Sequence, residues 1–324
     1  NKQMSQLSPE QLQAISTATF SGLNPSQVSA LSVAQFQLLS PSQLRSLSTA
    51  HITALNPEQL QALSSTQLNS LTPTQVSALK LSQVEALSPT QLTSLNEAQI
   101  AALSTSQLTA FDASTLSKLR ESQLQALTAT QIAGLTSQQV YDLNTTVIST
   151  LSTKQIAALE TSDVAALTVA NLTSLSTSQW GAFTTSQIAG LSTTQVANLS
   201  TSSLQTLNTV QVEALETRDI AVLSLEQIQA LTTTQMVALT SHQVSNLSGT
   251  TLGYLSTSQI LALETSDFAS LSTSSLPSLT DGQLGALTSA QVSALSTTQL
   301  MTLTTAQFAL IPSGNRAGIN QTPI

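Results

Sequence analysis

The chain has 324 residues, of which 7% are charged and 3% aromatic, with a formal net charge of −8 and no cysteine. An ordinary soluble domain carries roughly 25% charged residues, so Ser, Thr, Gln and Asn must supply the polar surface here. The eight Lys and Arg are scattered singly, which excludes the basic stripe of a nucleic-acid binder, and the lack of cysteine excludes disulfide staples, thiolate zinc sites and cysteine nucleophiles. Polar residues interrupt every apolar run well short of the ~20 residues of a membrane helix, so no membrane insertion is expected. The chain opens on Asn1-Lys2-Gln3 without an initiator Met or a signal sequence, as a processed form or an excised fragment would.

From Leu7 onward every eighth residue is apolar, without one insertion, as far as Ile311, which defines 38 octapeptide units. A second apolar residue follows five positions after each of these, beginning Leu12, Phe20, Val28 and Phe36 and ending at Phe308. Directly after the first apolar residue, 33 units place Ser, Thr, Asn or Asp, and three residues later 27 units place Gln. This is the Ser-x-x-Gln capping box: the cap side chain accepts from the third helical N–H, and the Gln side chain accepts from the N–H of the cap. The flanking pair, such as Leu7 with Leu12, forms the hydrophobic staple. Each unit therefore starts a new helix of about six residues. Such a helix is well below the ~12–15 residues at which an isolated helix is marginal in water, so packing on neighbours must hold it.

Pro9, Pro25, Pro41, Pro57, Pro73 and Pro89 directly follow caps, at the first helical position, where proline sacrifices no hydrogen bond. Ala, Ser or Gly usually precedes the next Leu, as at Ala14, Gly22 and Ala30, which permits close helix approach. The sequence predicts an all-α solenoid of short capped helices over residues 1–311, each coil in contact with its neighbours only. The 16-residue proline spacing predicts two helices per coil. The units that lose Gln at Thr19, His51, Thr115, Val147 and Asp163 share one alternate set. Those at Asn171, Ser203, Asp219, Thr251 and Asp267 fall on the other, and Ser275 returns to the first. Residues 312–324, with Pro312, Gly314, Gly318 and Pro323, read as a linker or docking tail.

Candidate chemistry is sparse. His51 and His242 lie far apart, no Gly-x-Ser-x-Gly occurs, and neither a catalytic residue nor a cofactor is expected. Glu160 with Asp163, Glu216 with Asp219 and Glu264 with Asp267 are the candidate metal ligands, because carboxylates at i and i+3 can grip a hard cation such as calcium. The same residues fill the cap and Gln slots, where acidic groups suit a helix N-terminus, and that reading is preferred. Trp180, Phe20, Phe36 and Phe268 take the second apolar position and belong to the core, whereas Tyr141 and Tyr254 stand isolated. Sequons occur at Asn144, Asn171, Asn198 and Asn246.

The phrase Ala-Leu-Ser-Thr-x-Gln-Ile/Val-x-Ala-Leu, clear at 190–199 and 286–303, resembles octapeptide-repeat regions of large bacterial secreted or surface proteins of the adhesin and haemagglutinin-like type. The resemblance implies export, a place outside the cell or on its surface, and a spacer or adhesive role. The expected protein is a noncatalytic filament or sheath subunit, or a surface stalk. Its partners are further copies stacked head to tail or flanking domains of a longer chain. The alternative is a binding module whose Ser/Thr face recognises glycan, ice or mineral.

Overall fold

The structure, a computed structural model, describes residues 4–316. All 38 units form short helices, 37 of them α-helical and four to six residues long, and the described residues contain no strand. The exception is the 3-10 turn Leu276–Ser278, where Pro277 lacks the N–H that an α-helical bond would need. The caps match the expected chemistry: Ser40 Oγ accepts from Gln43 N, and Gln43 Oε1 accepts from Ser40 N at 2.9 Å. Lys80 and Arg120 keep half of the arrangement. Gln83 and Gln123 accept from their backbone N–H groups at 2.7 Å, but a cationic side chain has no acceptor to return.

No described residue has positive φ. The chain turns each corner with two extended residues, typified by Leu71 at φ −62°, ψ 143° and Thr72 at φ −71°, ψ 155°. Both conformations are open to any L-residue, so no corner needs glycine and eight residues suffice for a helix and its turn. The chain forms two compact units, Asn1–Ala166 and Leu167–Ile324, and the same local packing recurs in each.

The number of helices per coil differs from the sequence expectation. In the first unit the helix Pro25–Ser29 packs on Thr49–Ala54, and Pro73–Ser77 on Glu97–Ala102. In the second, Thr185–Ala189 packs on Thr209–Ala214, and Ser241–Ser245 on Thr265–Ala269. Within each unit a helix therefore lies on the one three octads earlier, so a coil has three helices and 24 residues, not two helices and 16. Prolines 16 residues apart visit the three faces in turn rather than marking one of them.

Both apolar positions of each unit point into the coil. Val28, Leu44, Ile52, Ile228 and Leu252 are 0–2% exposed, and the corner residues Leu71, Leu95, Leu263 and Leu287 are 0–3% exposed. Small residues at the helix ends let coils approach: a Cβ on Gly134 would come within 2.5 Å of Thr105 Cγ2 on the coil beneath. The octad frame also runs through Pro312–Arg316, because Asn315, in the Gln slot, donates from Nδ2 to Leu287 O at 2.7 Å.

The Gln slot carries more than the cap. In the first unit Gln43 Nε2 donates to Leu12 O at 2.9 Å and Ile15 O at 3.0 Å, and Gln131 does the same to Ile100 O and Leu103 O, both at 2.8 Å. In the second, Gln211 reaches Trp180 O and Phe183 O, and Gln283 reaches Leu252 O and Leu255 O. These carbonyls lie at the ends of helices, short of the usual i+4 partner; the first of each pair also accepts from the backbone N–H three residues on, as Ile100 O does from Leu103 N at 3.2 Å, and the amide adds a second bond. One amide thus caps its own helix with oxygen and fastens the coil beneath with nitrogen, and it is almost wholly buried in doing so.

Units without Gln now make sense. Within the first unit, the losses at Thr19, Thr115 and Asp163 are 96 and 48 residues apart, and those at His51 and Val147 are 96 apart. Within the second, Asn171, Asp219 and Asp267 are 48 apart, and Ser203, Thr251 and Ser275 are 48 and 24 apart. Every interval is a multiple of 24, so each set lies along one corner of the coil. The apparent slip between alternate sets arises from dividing a three-fold register by two. His51 retains the strut: Nδ1 accepts from Ser48 N at 2.9 Å, so Nε2 carries the proton and donates to Leu23 O at 2.6 Å. Ser275 retains part of it through its hydroxyl, 2.8 Å from Leu247 O.

Val147 retains nothing polar, although it is buried in the slot above Leu116 O and Leu119 O. Val147→Gln should therefore stabilise the chain by about 1–2 kcal/mol, the net yield of a pair of buried hydrogen bonds, read as a rise in thermal midpoint.

Candidate functional site

The buried polar ladder and its exceptions are where chemistry would have to reside. Three units replace Ser-x-x-Gln by Glu-Thr-x-Asp, and in each the two carboxylates part company. Asp163, Asp219 and Asp267 are 1%, 0% and 4% exposed, while Glu160, Glu216 and Glu264 face solvent. Asp163 Oδ2 accepts from Glu160 N at 3.2 Å and its Oδ1 from the Ser137 hydroxyl at 3.0 Å, both within the first unit. Asp267 Oδ1 accepts from the Ser241 hydroxyl of the coil beneath. Asp219 Oδ2 accepts from Glu216 N at 3.0 Å, but Oδ1 is buried without a hydrogen-bond partner. Arg218 lies beside it, with Nε 2.8 Å from Glu216 Oε2 and 4.0 Å from Asp219 Oδ1.

The Asp therefore fills the acceptor half of the Gln slot while the Glu turns outward. The pairs do not converge on a shared cation, and among the described residues no three of His, Cys, Asp and Glu gather as a metal-binding group. Burial pushes the Asp163 and Asp219 carboxyls above the usual range, against the backbone hydrogen bonds that favour their charge. Elsewhere the shift is downward. Ser122 donates to Glu97 at 2.6 Å, and Asp112 caps Thr115, so hydrogen bonding lowers both carboxyls.

The remaining candidates are structural or dispersed. Trp180 is buried and stacks on Phe183, with ring centroids 5.0 Å apart. Tyr141 and Tyr254 are exposed. His51 is a strut, and His242 lies in the first turn of the helix Ser241–Ser245. Of the sequons, Asn144 caps its helix, Asn171 is buried, and Asn198 and Asn246 are exposed with Nδ2 bonded to Thr194 O and His242 O. A shallow groove is lined by Glu213, Thr234, Val237 and Glu264. No helix among the described residues is long and apolar enough to cross a membrane.

Sequence reasoning found the cap and missed the strut. A signal for it was present: the slot holds Gln 27 times and Glu not once in 38 units. A capping box accepts either residue, whereas the Gln amide accepts and donates together and a Glu carboxylate only accepts.

The fold defines the class, an all-helical repeat solenoid. Its particular repeat is matched by one family model: residues 156–193, 212–249 and 260–297 are similar to the ALTTAQ repeat. Each matched segment opens four residues before a Glu-Thr-x-Asp unit, so those units recur at the same place in all three. No curated protein matches the chain.

Proposed function

We propose that this chain is a noncatalytic structural protein of the cell exterior, either a filament or sheath subunit or a surface stalk, extended by adding coils through the Gln ladder. The observation that carries this reading is the ladder itself. Its buried amides are committed to joining one coil to the next, as with Gln83 on Ile52 O and Leu55 O and Gln259 on Ile228 O and Leu231 O. An enzyme needs a convergent polar cluster in a pocket, and the conserved geometry of the repeat spends its polar groups on stacking instead. Location outside the cell rests on the resemblance to secreted and surface octapeptide regions.

Electron microscopy of the purified chain over a concentration series separates the two forms of the proposal. Unbranched filaments that lengthen with concentration mean that copies stack end to end. Discrete particles of one length at every concentration mean a stalk whose neighbours are flanking domains. Compact particles without a long axis would sink both.

A second reading, recognition of glycan, ice or mineral, draws support from Thr185, Thr209, Thr233 and Thr257. These exposed residues are 24 apart and occupy the first turn of successive helices on one face. Thr209→Lys with Thr233→Lys should abolish retention on the cognate surface while leaving the thermal midpoint unchanged.

A further inference from the structure

At Asp219 the ladder places an acceptor where the neighbouring coils place a donor. Gln211 and Gln227, in the flanking units, each give two N–H groups to main-chain carbonyls, Gln227 to Val196 O at 3.0 Å and Leu199 O at 2.8 Å. The same register sets Asp219 over the end of the helix Thr185–Ala189, whose corresponding carbonyls are Ile188 O and Leu191 O. An ionised carboxylate has nothing to donate to them. Its outer oxygen, Oδ1, is buried with no hydrogen-bond partner, and the residue is 0% exposed.

We propose that Asp219 binds a proton on Oδ1 and, as the neutral acid, acts as the missing strut, so that this coil junction tightens in acid and loosens toward neutral pH. The neutral carboxyl keeps the acceptor that caps Glu216 N and gains one O–H toward the carbonyls beneath, half of what Gln supplies. Burial, the main influence on this carboxyl, favours the same form.

The charged surroundings are few. On its own element, Glu216 repels a charge on Asp219, and Arg218 attracts it from 4.0 Å but is mostly exposed and engaged by Glu216 at 2.8 Å. Of the helices around Thr217–Ala221, Thr185–Ala189 and Thr193–Ala197 have no titratable group and Ser241–Ser245 has His242 alone. A folded-state value raised above that of the unfolded chain means that the stabilising contribution is complete below about pH 4 and is lost as pH rises through the folded value. Glu97 and Asp112 act in the opposite direction, so the difference between variant and parent isolates Asp219.

The test is the thermal midpoint of the full chain and of Asp219→Gln between pH 4 and pH 8, with Asp219→Asn as a second variant of native volume. Asp219→Gln should melt higher than the parent by about 2–4 °C at pH 8, and this advantage should shrink steadily toward pH 4. An advantage independent of pH in both variants would overturn the proposal. So would a calcium- or sodium-dependent rise in the parent at pH 8 that both variants lack, since the pocket would then hold a cation in place of the proton.

Discussion

Gln259→Glu should destabilise the chain by about 3–5 kcal/mol at neutral pH, although a capping box tolerates Glu as well as Gln. Gln259 Oε1 accepts from Ser256 N at 2.9 Å, and a Glu oxygen can take over that bond. The other end donates to Ile228 O at 2.8 Å and Leu231 O at 2.9 Å. A carboxylate there would meet two carbonyl oxygens in a site where the native residue is 3% exposed, with no hydrogen to share and no water to screen it. Gln259→Leu removes the same bonds without adding charge and should cost about 2–3 kcal/mol, the desolvation penalty of the stranded backbone groups. Chemical denaturation measures both. An ordering in which Glu is milder than Leu would mean that the slot serves the cap alone.

Trp180→Ala should cost about 3–5 kcal/mol, the range for emptying a large aromatic site in a packed core. Trp180 occupies the second apolar position of its unit, is 1% exposed, and stacks on Phe183 across the corner. In a solenoid each coil has only its neighbours to lean on, so a cavity there weakens the junctions above and below without help from elsewhere. Trp180→Phe should cost far less, because Nε1 is buried without a hydrogen-bond partner and its removal relieves an unmet donor. Unfolding followed by circular dichroism compares the two variants, and the parent's single tryptophan supplies a fluorescence signal for the same junction.

Local structure was readable from the sequence because its determinants lie within one octad. Ser40, Pro41 and Gln43 specify a helix start with no knowledge of the neighbours, and Leu39 with Leu44 specifies which side is buried. The coil was not readable in the same way, since what fixes three helices per turn is the contact between residues 24 or more apart. Pro9 to Pro89 sample a position that is exposed at all of them but the half-buried Pro25 and that recurs on every face, so their spacing of 16 reports a preference along the chain and not a face. Losses at buried positions are the better witness. Asn171, Asp219 and Asp267 share one corner of the second unit, and Ser203, Thr251 and Ser275 share another, at intervals of 24 or 48.

The acidic units show the same division. Glu216 and Asp219 look alike in sequence, three residues apart on a short helix, and invite a chelating reading. Stacking separates them, because the cap position borders solvent while the slot three residues later is covered by the corner of the coil beneath. The proposed structural role rests on that geometry, in which these polar groups serve the joining of coils.

The three-helix coil is tested most directly by disulfide trapping, which the absence of native cysteine makes clean. Asn96 Nδ2 donates to Asn69 Oδ1 at 2.9 Å across adjacent coils, so Asn69→Cys with Asn96→Cys should oxidise to an intramolecular crosslink that raises the thermal midpoint. Asn69→Cys with Ser88→Cys, the pair that a two-helix coil would bring together, should stay reduced under the same conditions. Ready closure of 69 with 88, and failure of 69 with 96, would contradict the 24-residue coil and the ladder built on it.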